Sequence, residues 1–259
     1  MTTRPPLWRA SPLLLGTIAL AWALAVTAEL TGRVQWVHHH QLFVEQLTLV
    51  ASVGLFLLAW QVHIAAMMLP SSLPMFALFR RASAGQAHPR AARVAFIAGY
   101  AAVWTGFGVA ALAGDAMLQI ARTQWHWLMH RPELVAGAVI AIAGAFQFSA
   151  LKERCMDKCR HPAVFLMNHY RRGTGGAFRF GAHHGLYCLG CCWALMLVMF
   201  VVGIANLAWM APLALLMLYE KAGRHGMKVV RPVGVVLIVL GGLVMAGPAW
   251  LQGVVPHVH

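Results

Sequence analysis

Long apolar segments separated by short polar ones run through almost the whole chain. A helix needs about 20 predominantly apolar residues to cross the hydrocarbon core of a bilayer. We distinguish seven segments that meet this need; they lie at about 11–30, 47–79, 94–120, 134–151, two within 185–220, and 233–251. The pattern predicts an all-α protein, a polytopic transmembrane helical bundle of about seven spans, with six as the alternative.

The segment 185–220 is too long for one span and is interrupted by Gly203 and Asn206, so we interpret it as a tight pair. With the N-terminus in the cytoplasm, this pair places 17 of the 20 Lys and Arg residues on the cytoplasmic side. A single span would leave 13 of the 20 there. Cytoplasmic loops carry an excess of Lys and Arg, which favours seven spans and a cytoplasmic N-terminus.

Composition supports a membrane protein. Apolar residues make up 60% of the chain and charged residues only 10%, against about 25% charged in an average soluble domain. This excludes an ordinary cytosolic enzyme, a disordered chain and a disulfide-stapled secreted domain. We therefore expect a single integral membrane domain over 1–259, in the bacterial inner (plasma) membrane and surrounded by the lipid bilayer. Residues 26–28, Val-Thr-Ala, leave open that the first span is a cleaved signal peptide.

The net charge of +13 does not point to nucleic acid. The basic residues lie between the apolar segments, and nothing else in the chain resembles a nucleic-acid module. We expect no nucleic-acid partner, because membrane topology explains the charge.

The five cysteines fall in two groups, Cys155 with Cys159, and Cys188 with Cys191 and Cys192. In the predicted topology both groups lie at cytoplasmic ends, those of the fourth and fifth spans. The first pair would share one helix face, and the 28 residues between the groups allow them to meet. We predict that they do.

Thiolates are soft ligands that bind Cu(I), zinc or iron–sulfur clusters. Disulfides are disfavoured on a reducing cytoplasmic face, so a metal site is the better interpretation of this clustering. Three nearby histidines are candidates to complete it: His161, His183 and His184.

Residues 181–196 and 203–221 resemble a bacterial family of unknown function that is labelled a predicted metal-binding integral membrane protein. Upstream, Trp60, residues 66–71, Lys152, Cys155, Cys159 and Pro162 resemble it too. The resemblance covers about 55–222 and is most specific in the cysteine-rich part. It implies a metal-binding membrane protein but no reaction. His63 stands where the family pattern leads us to expect Met.

Further candidate ligands lie elsewhere along the chain. Possible outer-side metal ligands are His38, His39, His40, His126 and His130; possible intramembrane ligands are His63, Met67 and Met68. His63 and Met67 are four residues apart and share a helix face. Ligand softness rises from outer imidazoles through thioethers to inner thiolates, which suits Cu(I) better than zinc.

We predict a metal-binding integral membrane protein that handles copper, as Cu(I), in transport, delivery or cofactor assembly. The expected metal ion is copper rather than zinc, and a metallochaperone or a membrane partner subunit is a possible partner. No Ser-His-Asp arrangement, nucleotide loop or paired-carboxylate site occurs, so no catalytic residue is assigned. Two alternatives stay open: a membrane thiol/metal redox enzyme, and a structural membrane subunit with a Zn–Cys site.

Overall fold

A computed structural model describes residues 12–31, 49–203 and 206–247, and in these ranges all regular structure is helical. The described helices are α1 (Pro12–Leu30), α2 (Leu49–Met67), α3 (Leu69–Ala82), α4 (Pro89–Gln124), α5 (His126–Met129), α6 (Pro132–Phe146), α7 (Ala150–Arg160), α8 (Pro162–His169), α9 (Thr174–Val202), α10 (Leu207–Ala222) and α11 (Gly226–Ala246). The predicted all-α class is confirmed.

Five of these helices are long and apolar enough to cross a membrane: α1, α2, α4, α9 and α11. The pair α6 and α7 passes the same test jointly, with a bend of 64° between the two helices, which makes up to six spans among the described residues. Helix α10 has 16 residues, or about 24 Å at 1.5 Å per residue, which is shorter than a bilayer core of about 30 Å. Judged by length and composition, the described helices therefore provide at most six of the seven expected membrane spans.

The predicted break near Gly203 and Asn206 is present. Helix α9 ends at Val202 and is followed by the capping residue Gly203, whose φ of 99° lies in a region that favours glycine. Asn206 caps α10, because its side-chain oxygen accepts a hydrogen bond from the backbone N–H of Ala208. Asn is a favoured helix-capping residue, and this role explains why a polar residue, Asn206, occurs within the apolar segment.

The cysteine-rich segment lies deeper in its helix than the sequence suggested. The expected fifth span begins at 185, whereas α9 begins at Thr174. Residues 174–184 continue the helix despite three glycines and an arginine, so Cys188, Cys191 and Cys192 lie in the middle of α9 rather than at its start.

Helix α9 is the centre of the bundle and packs against α4, α6, α7 and α10. The backbones of α4 and α9 approach so closely that a Cβ added to Gly99 would meet the carbonyl of Phe178, and one added to Gly181 would meet the carbonyl of Phe96. This crossing places Tyr100 of α4 opposite Cys188 of α9.

Candidate metal centre

Three thiols form a continuous chain of contacts between α7 and α9. The Sγ of Cys159 lies 3.9 Å from the Sγ of Cys191, which lies 3.2 Å from the Sγ of Cys192. Cys191 and Cys192 are buried, and Cys159 is half-buried at the edge. The two cysteine groups meet in space, as expected from their positions in the sequence.

Cys188 lies one helical turn before Cys192 on α9 and has polar neighbours from three other helices. Its Sγ is 3.1 Å from the Nζ of Lys221, 3.2 Å from the hydroxyl of Tyr100 and 3.9 Å from the hydroxyl of Ser72. Lys221 also donates to the Oγ of Ser71 at 3.2 Å. The ammonium of Lys221 can therefore compensate the negative charge of a Cys188 thiolate.

A buried ion pair lies next to Lys221 in the chain. The Nζ of Lys152 in α7 is 2.7 Å from the Oε2 of Glu220 in α10, and both side chains are almost inaccessible to solvent. Arg160 of α7 donates to the carbonyls of Glu220 and Gly223. These contacts fix the cysteine-bearing helix α7 to the end of α10 that carries Lys221.

Cys155, the fifth cysteine, faces the backbone of α9. A Cβ added to Gly190 would lie 2.5 Å from its Sγ, so the missing side chain at Gly190 is what makes room for the thiol. Cys155 is buried and one helical turn from Cys159. Its role as a ligand stays a prediction.

The three neighbouring histidines differ in placement. His184 is buried one turn before Cys188, its ring stacks on that of Tyr100 at 5.6 Å between centroids, and its Nε2 has no hydrogen-bond partner. His161 is exposed and pairs with Asp157, and His183 is exposed beside His169. His184 is therefore the one whose free nitrogen lies inside the protein beside the thiols.

Of the candidate intramembrane ligands, Met67 and Met68 are buried in the same apolar core as the cysteines, and His63 is buried as well. His63 stacks on Trp60 at 5.6 Å, and its Nε2 has no hydrogen-bond partner. Of the possible outer ligands, His130 is exposed. His38, His39, His40 and the side chain of His126 lie outside the described part of the chain.

Tyr100 and Ser72, two groups around the cysteines, were missed by sequence analysis. Lys152, Glu220 and Lys221 were noted only within the family resemblance, with no role at the site. Ionisable residues at the ends of apolar segments were the available signal, since such residues are costly inside a membrane and are therefore often functional. Lys152 follows the fourth apolar segment, and Glu220 with Lys221 closes the sixth. Nothing in their spacing shows that they meet.

The chain belongs to the PpoB2 family, described as a copper chaperone, whose pattern matches residues 57–244. The match spans most of the chain and includes every cysteine. No curated protein and no solved structure matches the chain significantly.

The donor set fits Cu(I) as cargo. Thiolate, thioether and imidazole ligands suit Cu(I), and cysteine, methionine and histidine side chains are all buried in this protein. In the described ranges, no three His, Cys, Asp or Glu side chains already surround a common point. The thiols instead contact each other in a chain, from the half-buried Cys159 through Cys191 to the buried Cys192.

Proposed function

We propose that this protein is an integral membrane copper chaperone that binds Cu(I) at the cysteines shared by α7 and α9. The ligands are drawn from Cys159, Cys188, Cys191 and Cys192, with Cys155 and His184 beside them. The observation that carries the proposal is the contact chain Cys159–Cys191–Cys192, with sulfur separations of 3.9 Å and 3.2 Å. Membership of the copper chaperone family supports copper as the cargo.

The half-buried Cys159 supports a role in delivery rather than permanent storage. Metal can reach or leave this thiol from the surface, while Cys191 and Cys192 hold it away from water. Thiolates exchange Cu(I) by successive ligand replacement, so a partner's soft ligand would attack at Cys159 first. We place this surface on the cytoplasmic side of the bacterial inner membrane, because the basic residues Lys158 and Arg160 lie beside it.

The test is metal analysis of the protein purified in detergent under reducing conditions. We expect bound copper whose amount falls when Cys188, Cys191 and Cys192 are replaced by Ser. Cys155→Ser, which alters a thiol outside the chain of contacts, is the comparison that locates the site. Copper retained at full occupancy in the triple variant would overturn the proposal.

Two other results would redirect the interpretation. Stoichiometric zinc that resists chelation, with unfolding once it is removed, would identify a structural metal site. A metal-free protein whose cysteines cycle between thiol and disulfide would identify a redox protein. Both results contradict the copper chaperone proposal.

A further inference from the structure

Buried sulfur and imidazole side chains continue from the cysteines along the interior of the bundle. On α9, Cys188, Cys192, Met196 and Phe200 follow each other at four-residue intervals, which places them along one ridge of the helix. The two cysteines and Met196 are at most 1% exposed. Whether other soft side chains lie beside this ridge depends on the positions of α2, α3 and α10 relative to α9.

Two contacts fix the register between α9 and the nearly continuous helices α2 and α3. At one end, the rings of Trp60 and Phe200 lie 5.3 Å apart. At the other end, the hydroxyl of Ser72 lies 3.9 Å from the Sγ of Cys188. Trp60 and Ser72 are twelve residues apart, and so are Cys188 and Phe200. The two segments therefore run antiparallel, with the same number of residues between the two contacts. His63 therefore lies within about one residue of the level of Met196, and Met67 within about one residue of the level of Cys192, an offset of about 1.5 Å.

Helix α10 lies beside α9 and the α2–α3 segment and contributes side chains at the same heights along the bundle. Lys221 contacts both Ser71 and Cys188, and α10 runs in the same direction as α2 and α3. Met217, one turn before Lys221, therefore lies at the level of Met67 and Cys192. Met67 and Met217 are fully buried. Since one helical turn rises about 5.4 Å, soft ligands recur at each turn from Cys188 up to His63.

His63 distinguishes this arrangement from ordinary methionine packing. Its side chain is 5% exposed, and its Nε2 has no hydrogen-bond partner. A buried polar atom without a partner is costly, and a bound metal ion removes that cost. The stacked ring of Trp60 fixes the orientation of the imidazole.

We propose that His63 Nε2 and the thioethers of Met67 and Met196 form a second Cu(I) site in the interior of the bundle. Cys192, which belongs to the cysteine cluster, lies one helical turn from Met196 on α9, so the two sites are adjacent, with Met217 beside their junction. Copper bound here carries its positive charge among neutral ligands, whereas the thiolates hold it more tightly. The inference rests on the proposed function, because it makes the second site a step on the way to or from the thiols.

The experiment counts Cu(I) bound per chain, anaerobically and in detergent, with excess metal removed by a weak chelator. Wild type is compared with a quadruple variant of the thiols, Cys159→Ser, Cys188→Ser, Cys191→Ser and Cys192→Ser. It is also compared with an interior variant that carries His63→Leu, Met67→Leu and Met196→Leu. The matched control is Met75→Leu with Met210→Leu, which changes buried methionines on either side of the proposed site.

We expect two copper ions in wild type and in the control, and one in each of the two site variants. Copper in the thiol variant should show sulfur and nitrogen neighbours in X-ray absorption spectra. His63→Met in that background should keep the ion and lose the nitrogen, a result that a misfolded variant cannot give.

The outcomes separate the two proposals. An interior variant that binds as much copper as wild type overturns the second site and leaves the cysteine cluster intact. A thiol variant that binds as much copper as wild type overturns the proposed function.

Discussion

The ammonium of Lys221 lies 3.1 Å from the Sγ of Cys188, and the two side chains are 4% and 0% exposed. The neighbouring carboxylate of Glu220 is paired with Lys152. The Lys221 ammonium instead contacts the Cys188 thiol and the hydroxyl of Ser71. This geometry makes Cys188 a thiol whose charge, once it binds metal, is compensated within the protein.

Lys221→Met is therefore expected to weaken Cu(I) binding. A hydrogen bond to a charged group contributes about 1.5–3 kcal/mol, and about 1.4 kcal/mol corresponds to a factor of ten in affinity. The Kd for Cu(I), measured by competition with a chromogenic chelator, should rise by about tenfold or more. Lys221→Arg should retain most of the affinity because it keeps the positive charge.

The matched control for this prediction is Lys158→Met, which removes a half-exposed lysine from the cysteine-bearing helix α7. Its Kd should equal that of wild type, since solvent screens an exposed charge. Equal affinities in Lys221→Met and wild type would show that Lys221 does not support the bound thiolate.

The buried pair of Lys152 and Glu220 is expected to dominate the electrostatic contribution to stability. Removing one partner of a buried pair leaves an uncompensated charge and typically costs about 3–5 kcal/mol. Glu220→Gln should accordingly lower the temperature of thermal unfolding in detergent by several degrees. Asp157→Asn, which alters an exposed carboxylate, should change it little.

A double variant separates charge from packing at this position. Replacing Lys152 by Met and Glu220 by Leu removes both charges and keeps comparable volume, and such replacements are often close to neutral. The double variant should unfold at a higher temperature than Glu220→Gln. If it unfolds at the same temperature as the single variant, the loss arises from altered packing and not from the unpaired charge.

The cysteine groups show how far the sequence predicts this site. The four-residue spacing of Cys155 and Cys159, and the length of chain before Cys188, allowed the contact between α7 and α9, which we predicted from the shared cytoplasmic end of the two groups. The helical continuation over residues 174–184 was not predictable in the same way. Its glycines are typical of a loop, and only the close packing of Gly181 on α4 explains why a helix uses them.

The partners of Cys188 were beyond sequence reasoning for a different reason. Tyr100, Ser72 and Lys221 come from three helices that are distant in sequence. Their convergence depends on helix crossing angles and rotations, which apolar segments of similar composition do not encode. An ionisable residue at the end of an apolar segment is a signal that the sequence offers, but packing alone determines which thiol it contacts.

The close crossing of α4 and α9 gives a further prediction. Gly181→Ala should destabilise the protein, because its new methyl group meets backbone atoms of α4 that cannot move independently. Overpacking of this kind costs about 1–3 kcal/mol. The control is Gly106→Ala, at a position on α4 with open space around it. This substitution should be neutral or slightly stabilising, because Ala favours helix.

Thermal unfolding measures the first effect, and copper binding measures its consequence for the site. Since the crossing places Tyr100 against Cys188, Gly181→Ala should also weaken Cu(I) binding, whereas Gly106→Ala should not. Equal stability of the two variants would contradict the close approach of α4 and α9.

Thiol labelling tests both the burial of the cluster and its side of the membrane. Cys159 is half-buried, while Cys188, Cys191 and Cys192 are at most 1% exposed. A membrane-impermeant maleimide should therefore modify Cys159 about tenfold faster or more than the three buried thiols, which react only when the protein opens locally. Peptide mapping by mass spectrometry gives the order of reaction.

The same reagent applied to oriented vesicles examines the proposed topology. Inverted vesicles, which expose the cytoplasmic face, should be labelled at Cys159, and right-side-out vesicles should not. Loading with Cu(I) should slow the labelling of Cys159 because the metal occupies its thiolate, whereas an exposed cysteine introduced as Ala163→Cys on α8 should react at an unchanged rate. Labelling of Cys159 from the outer face would reverse the orientation, and labelling that is insensitive to copper would exclude Cys159 from the metal site.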